Sequence, residues 1–322
     1  MRCALVWLVV LGCGAEEVEA PSVAFITPAP STTFTRDQLA DSGSLVASVG
    51  MTLDIGGAPD HVAITAGDLA LGNADDAGAL TAQLGSLGPL TLTASALDKD
   101  GMVLATATVD ITIDAPQVAD CHAWLDLYHL DYTTGPANLG IADPITVTLP
   151  LNGVAYRYSG NTSDRKTLYG DCVLMRSMAE AAPILRAHDV TKIVDIGIYN
   201  YRCIDQTKTP PNCSMSQHAY ARAIDLAELV KTDDTHYSVL NDWVIDTSGA
   251  TCTAATANEK DAFLHQVICE LKAASVWNIV LTPNYNSDHR NHFHVDLTEG
   301  SDFIKRTIGA PTDSIDSGPN DD

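Results

Sequence analysis

Basic residues are scarce in this sequence. Its 322 residues include 18 Lys+Arg against 41 Asp+Glu, and no local basic cluster offsets the formal net charge of −23. A surface of this charge repels the phosphates of nucleic acids and the headgroups of anionic lipids, so nucleic-acid binding is disfavoured. Because 46% of the residues are hydrophobic, the chain can still bury a core, and its length suits two domains.

Long apolar runs are also missing. No stretch reaches the ~18 consecutive apolar residues of a transmembrane helix. Residues 1–20 instead have the layout of a secretory signal, with one early Arg, a short apolar run and then small residues. The run ends in "VLGC", which resembles a bacterial lipobox and predicts lipidation of Cys13, and hence a membrane anchor. The alternative is an ordinary signal cut after Ala20. Both predict export to the bacterial cell envelope, periplasmic or on the surface.

Cysteine pairs of the CxxC type, which bind zinc, do not occur. Besides Cys3 and Cys13, six cysteines remain, and an even number in an exported chain predicts three disulfides. Six cysteines allow many connectivities. We favour Cys203–Cys213, which closes a Pro-containing loop, and then Cys252–Cys269, which leaves Cys121–Cys172.

Trp, Tyr and Cys are absent between residues 14 and 117, whereas all ten Tyr lie beyond Asp120. This change in composition predicts a domain boundary near Pro116. Residues 21–117 read as about seven short strands rich in Val, Ile, Thr and Leu, with "DKDG" as one hairpin turn. The pattern predicts an all-β immunoglobulin-like sandwich that acts as a spacer or adhesion module.

Residues 118–310 mix element types and predict an α+β domain. "DCVLMRSMAEAAPILRAH" has apolar residues at helical spacing, and Pro183 either kinks one helix or divides two. "NEKDAFLHQVICELKAASV" predicts a second helix with Asn258 as its N-cap, while "KIVDIGIY", "WNIVLTP" and "HFHVDL" predict strands. Residues 311–322 are acidic and nearly lack apolar side chains, which predicts a disordered tail.

Three histidines lie close together in "SDHRNHFHVDL": His289, His292 and His294, with Asp296 after them. Alternate side chains of a strand share a face, so His292, His294 and Asp296 should point to one side. Burying that polar face is costly without a partner, and a metal ion is an efficient partner. An ordinary surface patch is the alternative.

A second polar cluster, His218 and Asp225, lies in "NCSMSQHAYARAIDLAEL". Neither cluster alone predicts a metal site. Together, two His and one Asp from distant segments form the ligand set of catalytic zinc, with a fourth position open for water. Since HExxH, GxSxG and a phosphate-binding glycine loop are all missing, the pattern excludes a zincin and gives no support to serine hydrolase or nucleotide chemistry.

These motifs resemble a known family. "SMSQHAYARAIDLA" resembles the SxHxxGxAxD motif of the group that contains D-alanyl-D-alanine metallopeptidases, the penicillin-insensitive murein endopeptidase and the hedgehog domain, and "HRNHFHVD" resembles its closing HxH. "LTPNYNSDHRNHFHVD", and "YNYRC" with Arg and Cys in reverse order, resemble the extensin-like C-terminal family within that group. The resemblance covers residues 121–298 and implies a zinc-peptidase-like fold there.

Position by position, the resemblance implies that His218, Asp225 and His294 bind zinc. His292 matches the first His of HxH, where the group places its general base or a transition-state stabiliser. His289 matches a further active-site His of the endopeptidase.

Other matched positions would support these residues. Arg202 would face the substrate, Ser216 would orient the loop of His218, and Asp296 would orient His294 or His292 from behind rather than bind the metal. Ala221 stands where the motif has Gly, which strains the backbone if φ is positive there.

The implied activity is that of an exported zinc metallopeptidase that hydrolyses amide bonds in peptidoglycan peptides or cross-links. Zinc would lower the pKa of its water to ~7 and polarise the scissile carbonyl. His292 would take the proton and return it to the leaving amine, with His289 or His292 stabilising the tetrahedral intermediate. The alternative is a non-catalytic, zinc-containing cell-wall binding or adhesion protein.

Overall fold

A computed structural model describes residues 19–246 and 251–305. The predicted lipidation site Cys13 and the predicted acidic tail, residues 311–322, lie outside them, as does all but the end of the predicted signal. The described part is mostly β with few helices. Within it, every helix is too short or too polar to cross a membrane.

The chain divides into two compact units. One contains Val46–Pro116 together with the residues before Asp37, and the other contains Asp37–Leu45 together with the residues from Gln117 onward. Asp37–Leu45 therefore groups with the second unit, although it falls within the first predicted domain, residues 21–117.

Nine strands lie in residues 19–116. They are β1 (Ser22–Thr27), β2 (Thr32–Thr35), β3 (Gln38–Leu39), β4 (Leu45–Gly56), β5 (His61–Ala66), β6 (Leu69–Asn73), β7 (Ala79–Leu84), β8 (Gly88–Leu97) and β9 (Val103–Asp114).

The first unit is all-β, as predicted. Strand β4 pairs antiparallel with β1 and β7, and a second sheet has the order β2-β9-β8-β5-β6. One apolar core takes side chains from both sheets, including Val49 and Met51 from β4 and Leu92 and Ile111 from the other sheet. In the second half of β8, buried Leu92, Ala94 and Ala96 alternate with partly exposed residues, as expected for a half-buried strand. The predicted "DKDG" turn joins β8 to β9, where the Gly101 N–H donates to the Asp98 carbonyl.

The second unit combines strands and helices. Its further strands are β10 (Tyr132–Thr134), β11 (Pro144–Thr148), β12 (Ala155–Tyr158), β13 (Thr167–Asp171), β14 (Val190–Gly197), β15 (Ala223–Lys231), β16 (His236–Ser238), β17 (Ile279–Leu281), β18 (Phe293–Asp296) and β19 (Phe303–Lys305). Its helices are α1 (Cys121–Leu127), α2 (Cys172–Ala187), α3 (Val239–Asp242) and α4 (Glu259–Ala273). Two 3₁₀ turns, Gln217–Tyr220 and Ser287–His289, complete it.

A mixed sheet of order β12-β14-β15-β18-β17-β19, with β16 beside β15, forms the centre of this unit. Its core includes Met178 of α2, Ile268 of α4 and Ile224 and Val295 of the sheet. Helix α2 is continuous through Pro183, so the proline does not divide it into two helices. The predicted cap of α4 is confirmed, because Asn258 accepts from the N–H groups of the first turn.

The structure joins the cysteines as Cys121–Cys172, Cys203–Cys213 and Cys252–Cys269. The predicted disulfides are therefore confirmed. Of the three, Cys203–Cys213 closes the loop that leads to the 3₁₀ turn of His218.

Candidate metal centre

The pairing of β15 with β18 brings the two polar clusters together. In this antiparallel ladder Asp225 lies opposite His294, although the two are far apart in sequence. His218 reaches the same place from the 3₁₀ turn before β15. Ser216 caps that turn by accepting the His218 N–H at 3.3 Å, and Ala221 ends it with a left-handed φ of 52°.

Three side-chain atoms converge on one point. The Asp225 Oδ1 lies 3.2 Å from the His218 Nε2 and 3.0 Å from the His294 Nδ1, and the two nitrogens are 3.2 Å apart. Ligand atoms of a tetrahedral zinc ion, each ~2.0–2.1 Å from the metal, lie ~3.3 Å from one another. The triangle therefore has nearly the size that a zinc ion requires.

The remaining nitrogen of each histidine has its own partner. The His218 Nδ1–H donates to the Ile198 carbonyl at 2.8 Å, and the His294 Nε2–H donates to the Asp296 Oδ2 at 3.0 Å. Metal-binding histidines are held in this way, because the second hydrogen bond fixes the tautomer and turns the lone pair toward the ion. Asp296 thus contacts the ring nitrogen of His294 that does not face Asp225.

Asp225 and His294 form an ion pair. Burial raises the pKa of Asp225, but hydrogen bonds and charge from His218 and His294 outweigh it and hold that pKa well below its usual range. Burial lowers the pKa of His294, but hydrogen bonds and charge from Asp225 and Asp296 raise it to about 10.

His292 and His289 complete the cluster. The His292 Nε2 is 3.4 Å from the Asp225 Oδ1, although the residue precedes β18 rather than lying within it. The His289 ring centre lies 5.2 Å from that of His292 and 5.7 Å from that of His294. Burial lowers the pKa of His292, and burial together with the positive charge of His294 lowers the pKa of His289 to about 3. Both rings are therefore neutral at pH 7.

These residues line a pocket of about 340 Å³. One wall comes from the segment around the Cys203–Cys213 loop and contains Arg202, Ile204, Gln206, Ser214, Met215 and Gln217. The predicted substrate-facing residue Arg202 thus lies in the pocket wall, where its Nη1 donates to the Cys203 carbonyl at 3.3 Å.

A second group of possible ligand atoms, His122, Asp143 and Cys172, carries no metal proposal. The Cys172 sulfur is bonded to Cys121, which leaves no thiolate to bind a cation.

Two residues of the centre were not identified from the sequence. The carbonyl of Ile198 leaves no signal in a sequence, because every residue has one. Asn286 caps the 3₁₀ turn before His289 and also contacts the imidazole. Its position just before that turn is typical of a helix cap and was a usable signal.

Comparisons with known proteins complete this description. No curated protein matches the chain. Fibronectin(III)-like modules of Clostridium thermocellum CbhA are 13% identical over 30% of this chain and 99% of that chain, with a TM-score of 0.24. A β-glucuronidase of Parabacteroides merdae is 9% identical over 40% of this chain and 15% of that chain, with a TM-score of 0.22. The model of the family described as "Extensin-like protein C-terminus" matches residues 131–305, more than half of the chain.

Proposed function

Because the chain belongs to the extensin-like C-terminal family, we propose that it is a zinc-dependent peptidase. Its substrates would be amide bonds in peptidoglycan peptides or cross-links. The observation that carries the proposal is the convergence of His218, Asp225 and His294 in a pocket that is also lined by two neutral histidines. A purely structural metal site has no need of those two.

The donor set fits zinc. Two imidazole nitrogens and one carboxylate oxygen are the ligands of catalytic zinc sites, and each imidazole here is held by a second hydrogen bond. When bound, zinc would supply a Lewis acid that activates water at neutral pH and polarises the carbonyl of the scissile amide.

His292 is the proposed general base. It lies beside Asp225 in the pocket, and since burial keeps its ring neutral, the ring can accept a proton at neutral pH. His292 would take the proton of the attacking water and pass it to the leaving amine, so that one proton is transferred and none is lost. Arg202 would contact the substrate from the pocket wall.

The substrate class and the location are part of the proposal. Three disulfides are typical of proteins exported to oxidising compartments, which supports a location in the bacterial cell envelope. A lipid on Cys13 would hold the protein to the membrane. Peptidoglycan is the amide-containing polymer of that compartment, and the resemblance to murein endopeptidases points to its peptides.

Digestion of purified peptidoglycan by protein lacking residues 1–20 tests the proposal, with products identified by mass spectrometry. We expect peptide fragments that disappear with a chelator and return with zinc. His292→Ala should still bind zinc, but its rate of hydrolysis should fall about 10²–10⁴-fold, as expected for the loss of a general base.

His122→Gln is the matched control. His122 belongs to the second group of possible ligand atoms, in which Cys172 is bonded to Cys121 and cannot bind a metal. Its activity should equal that of the wild type. If zinc-loaded, folded protein released no fragment, the proposed peptidase activity would be refuted. The alternative, a zinc-containing cell-wall binding protein, would then be favoured.

A further inference from the structure

Asn286 receives three hydrogen bonds on a single side-chain atom. Its Oδ1 accepts from the Asp288 N–H at 3.0 Å and the His289 N–H at 3.2 Å, and the His289 Nδ1 lies 2.6 Å from the same atom. Backbone N–H groups are always donors, so the atom that they share must be the amide oxygen rather than the amide nitrogen. An amide oxygen only accepts, and therefore the His289 Nδ1 carries the proton.

The position of this proton decides what His289 can offer a ligand. A neutral imidazole has one N–H, and here the N–H is used by Asn286, which leaves the Nε2 as an acceptor. Within the described part of the chain, no hydrogen bond is made by this Nε2, and His289 lines the pocket. The ring is also packed against Tyr285, which is fully buried and meets it edge-on at 5.4 Å.

We propose that Asn286 is a positioning residue that fixes His289 as a hydrogen-bond acceptor for an N–H group of the substrate. The identity of the substrate as a peptide rests on the proposed function, whereas the position of a proton on the His289 Nδ1 rests on the geometry alone. The assignment removes His289 from one of the roles expected for it, because an acceptor cannot stabilise an oxyanion.

Two variants separate the cap from the contact to His289. Asn286→Asp keeps an acceptor of the same reach for both the backbone and the ring. Asn286→Ser keeps the cap, as Ser216 does for the His218 N–H in this chain, but its hydroxyl is too short to reach the ring as well. The pair therefore tests the contact with the 3₁₀ turn intact.

The measurement is ¹⁵N NMR of the full chain with labelled histidine, in which the His289 signals are identified by their loss in His289→Gln. We expect the proton on Nδ1 in the wild type and in Asn286→Asp. In Asn286→Ser the proton should be shared between Nδ1 and Nε2. If it stays wholly on Nδ1 in Asn286→Ser, or if it sits on Nε2 in the wild type or in Asn286→Asp, the proposal is wrong.

Activity gives a second readout. If the protein is a peptidase, Asn286→Ser should lower kcat/KM by about tenfold, mostly through KM, and Asn286→Asp should restore it. An unchanged KM in Asn286→Ser would overturn the role in substrate binding. If the wild type cleaves nothing, the proposed function fails, and the NMR result still decides the role of Asn286.

Discussion

In the proposed zinc site, protonation of His294 would control metal binding. Two carboxylates, Asp225 and Asp296, hydrogen-bond its two ring nitrogens, which accounts for its pKa of about 10. A metal ligand must be unprotonated, so any cation has to displace a proton from this ring. The Asp225 carboxylate has none to release, because its pKa is well below the usual range.

This linkage predicts proton release. Zinc binding at pH 7 should free about one proton from His294, and the apparent affinity should fall about tenfold for each pH unit below the pKa of about 10. Titration calorimetry in buffers of different ionisation enthalpy measures the release. His122→Gln should release as many protons on zinc binding as the wild type. Heats that do not depend on the buffer would contradict the assignment of the proton to His294.

At the scale of the element, the 3₁₀ turn that holds His218 is closed by a strained residue. Ala221 has φ of 52° and is fully buried. The left-handed conformation costs alanine ~1–2 kcal/mol. Glycine would remove that cost, but it would lose ~0.8 kcal/mol of methyl burial and ~0.4–1 kcal/mol through the greater freedom of the unfolded chain. The effects nearly cancel.

Ala221→Gly should therefore change the free energy of unfolding by less than about 1 kcal/mol. Ala219→Gly is the matched control in the same turn, because Ala219 is equally buried but lacks a positive φ. Ala219→Gly should lower the free energy of unfolding by ~1–2 kcal/mol, because no backbone strain is relieved there. Denaturant unfolding measures both. Equal losses in the two variants would show that Ala221 is not strained.

At the scale of the whole molecule, the chain has two separate apolar cores. One lies between the sheets of the first unit, and the other joins α2, α4 and the mixed sheet of the second. All the candidate ligands belong to the second unit. A ligand that binds only the folded state stabilises the unit that binds it, by ~2.7 kcal/mol at a concentration 100 times Kd.

Two thermal unfolding transitions are therefore expected. Zinc should raise the midpoint temperature of the second unit alone, by about 5–10 °C. Fluorescence identifies that transition, because the first unit has no Trp or Tyr in residues 14–117. Calorimetry and fluorescence with zinc or a chelator measure the shift. Asp225→Asn should abolish it. A zinc-dependent shift of both transitions, or of neither, would contradict this prediction.

The sequence by itself determined the features that depend on neighbouring residues. Alternation placed His294 and Asp296 on one face of a strand, loop closure favoured the observed disulfides, and Asn258 marked the start of α4. Each follows from the local geometry of a strand, a loop or a helix end, which nearby side chains specify.

Only the tertiary structure decided how these pieces meet. The register that sets Asp225 opposite His294 joins strands far apart in sequence, and it depends on the packing of the whole sheet. The Ile198 carbonyl behind His218 and the positive φ of Ala221 likewise depend on where the chain is forced to turn. The residue types of the site are a property of the sequence, whereas the distances that would let them share one ion come from long-range packing.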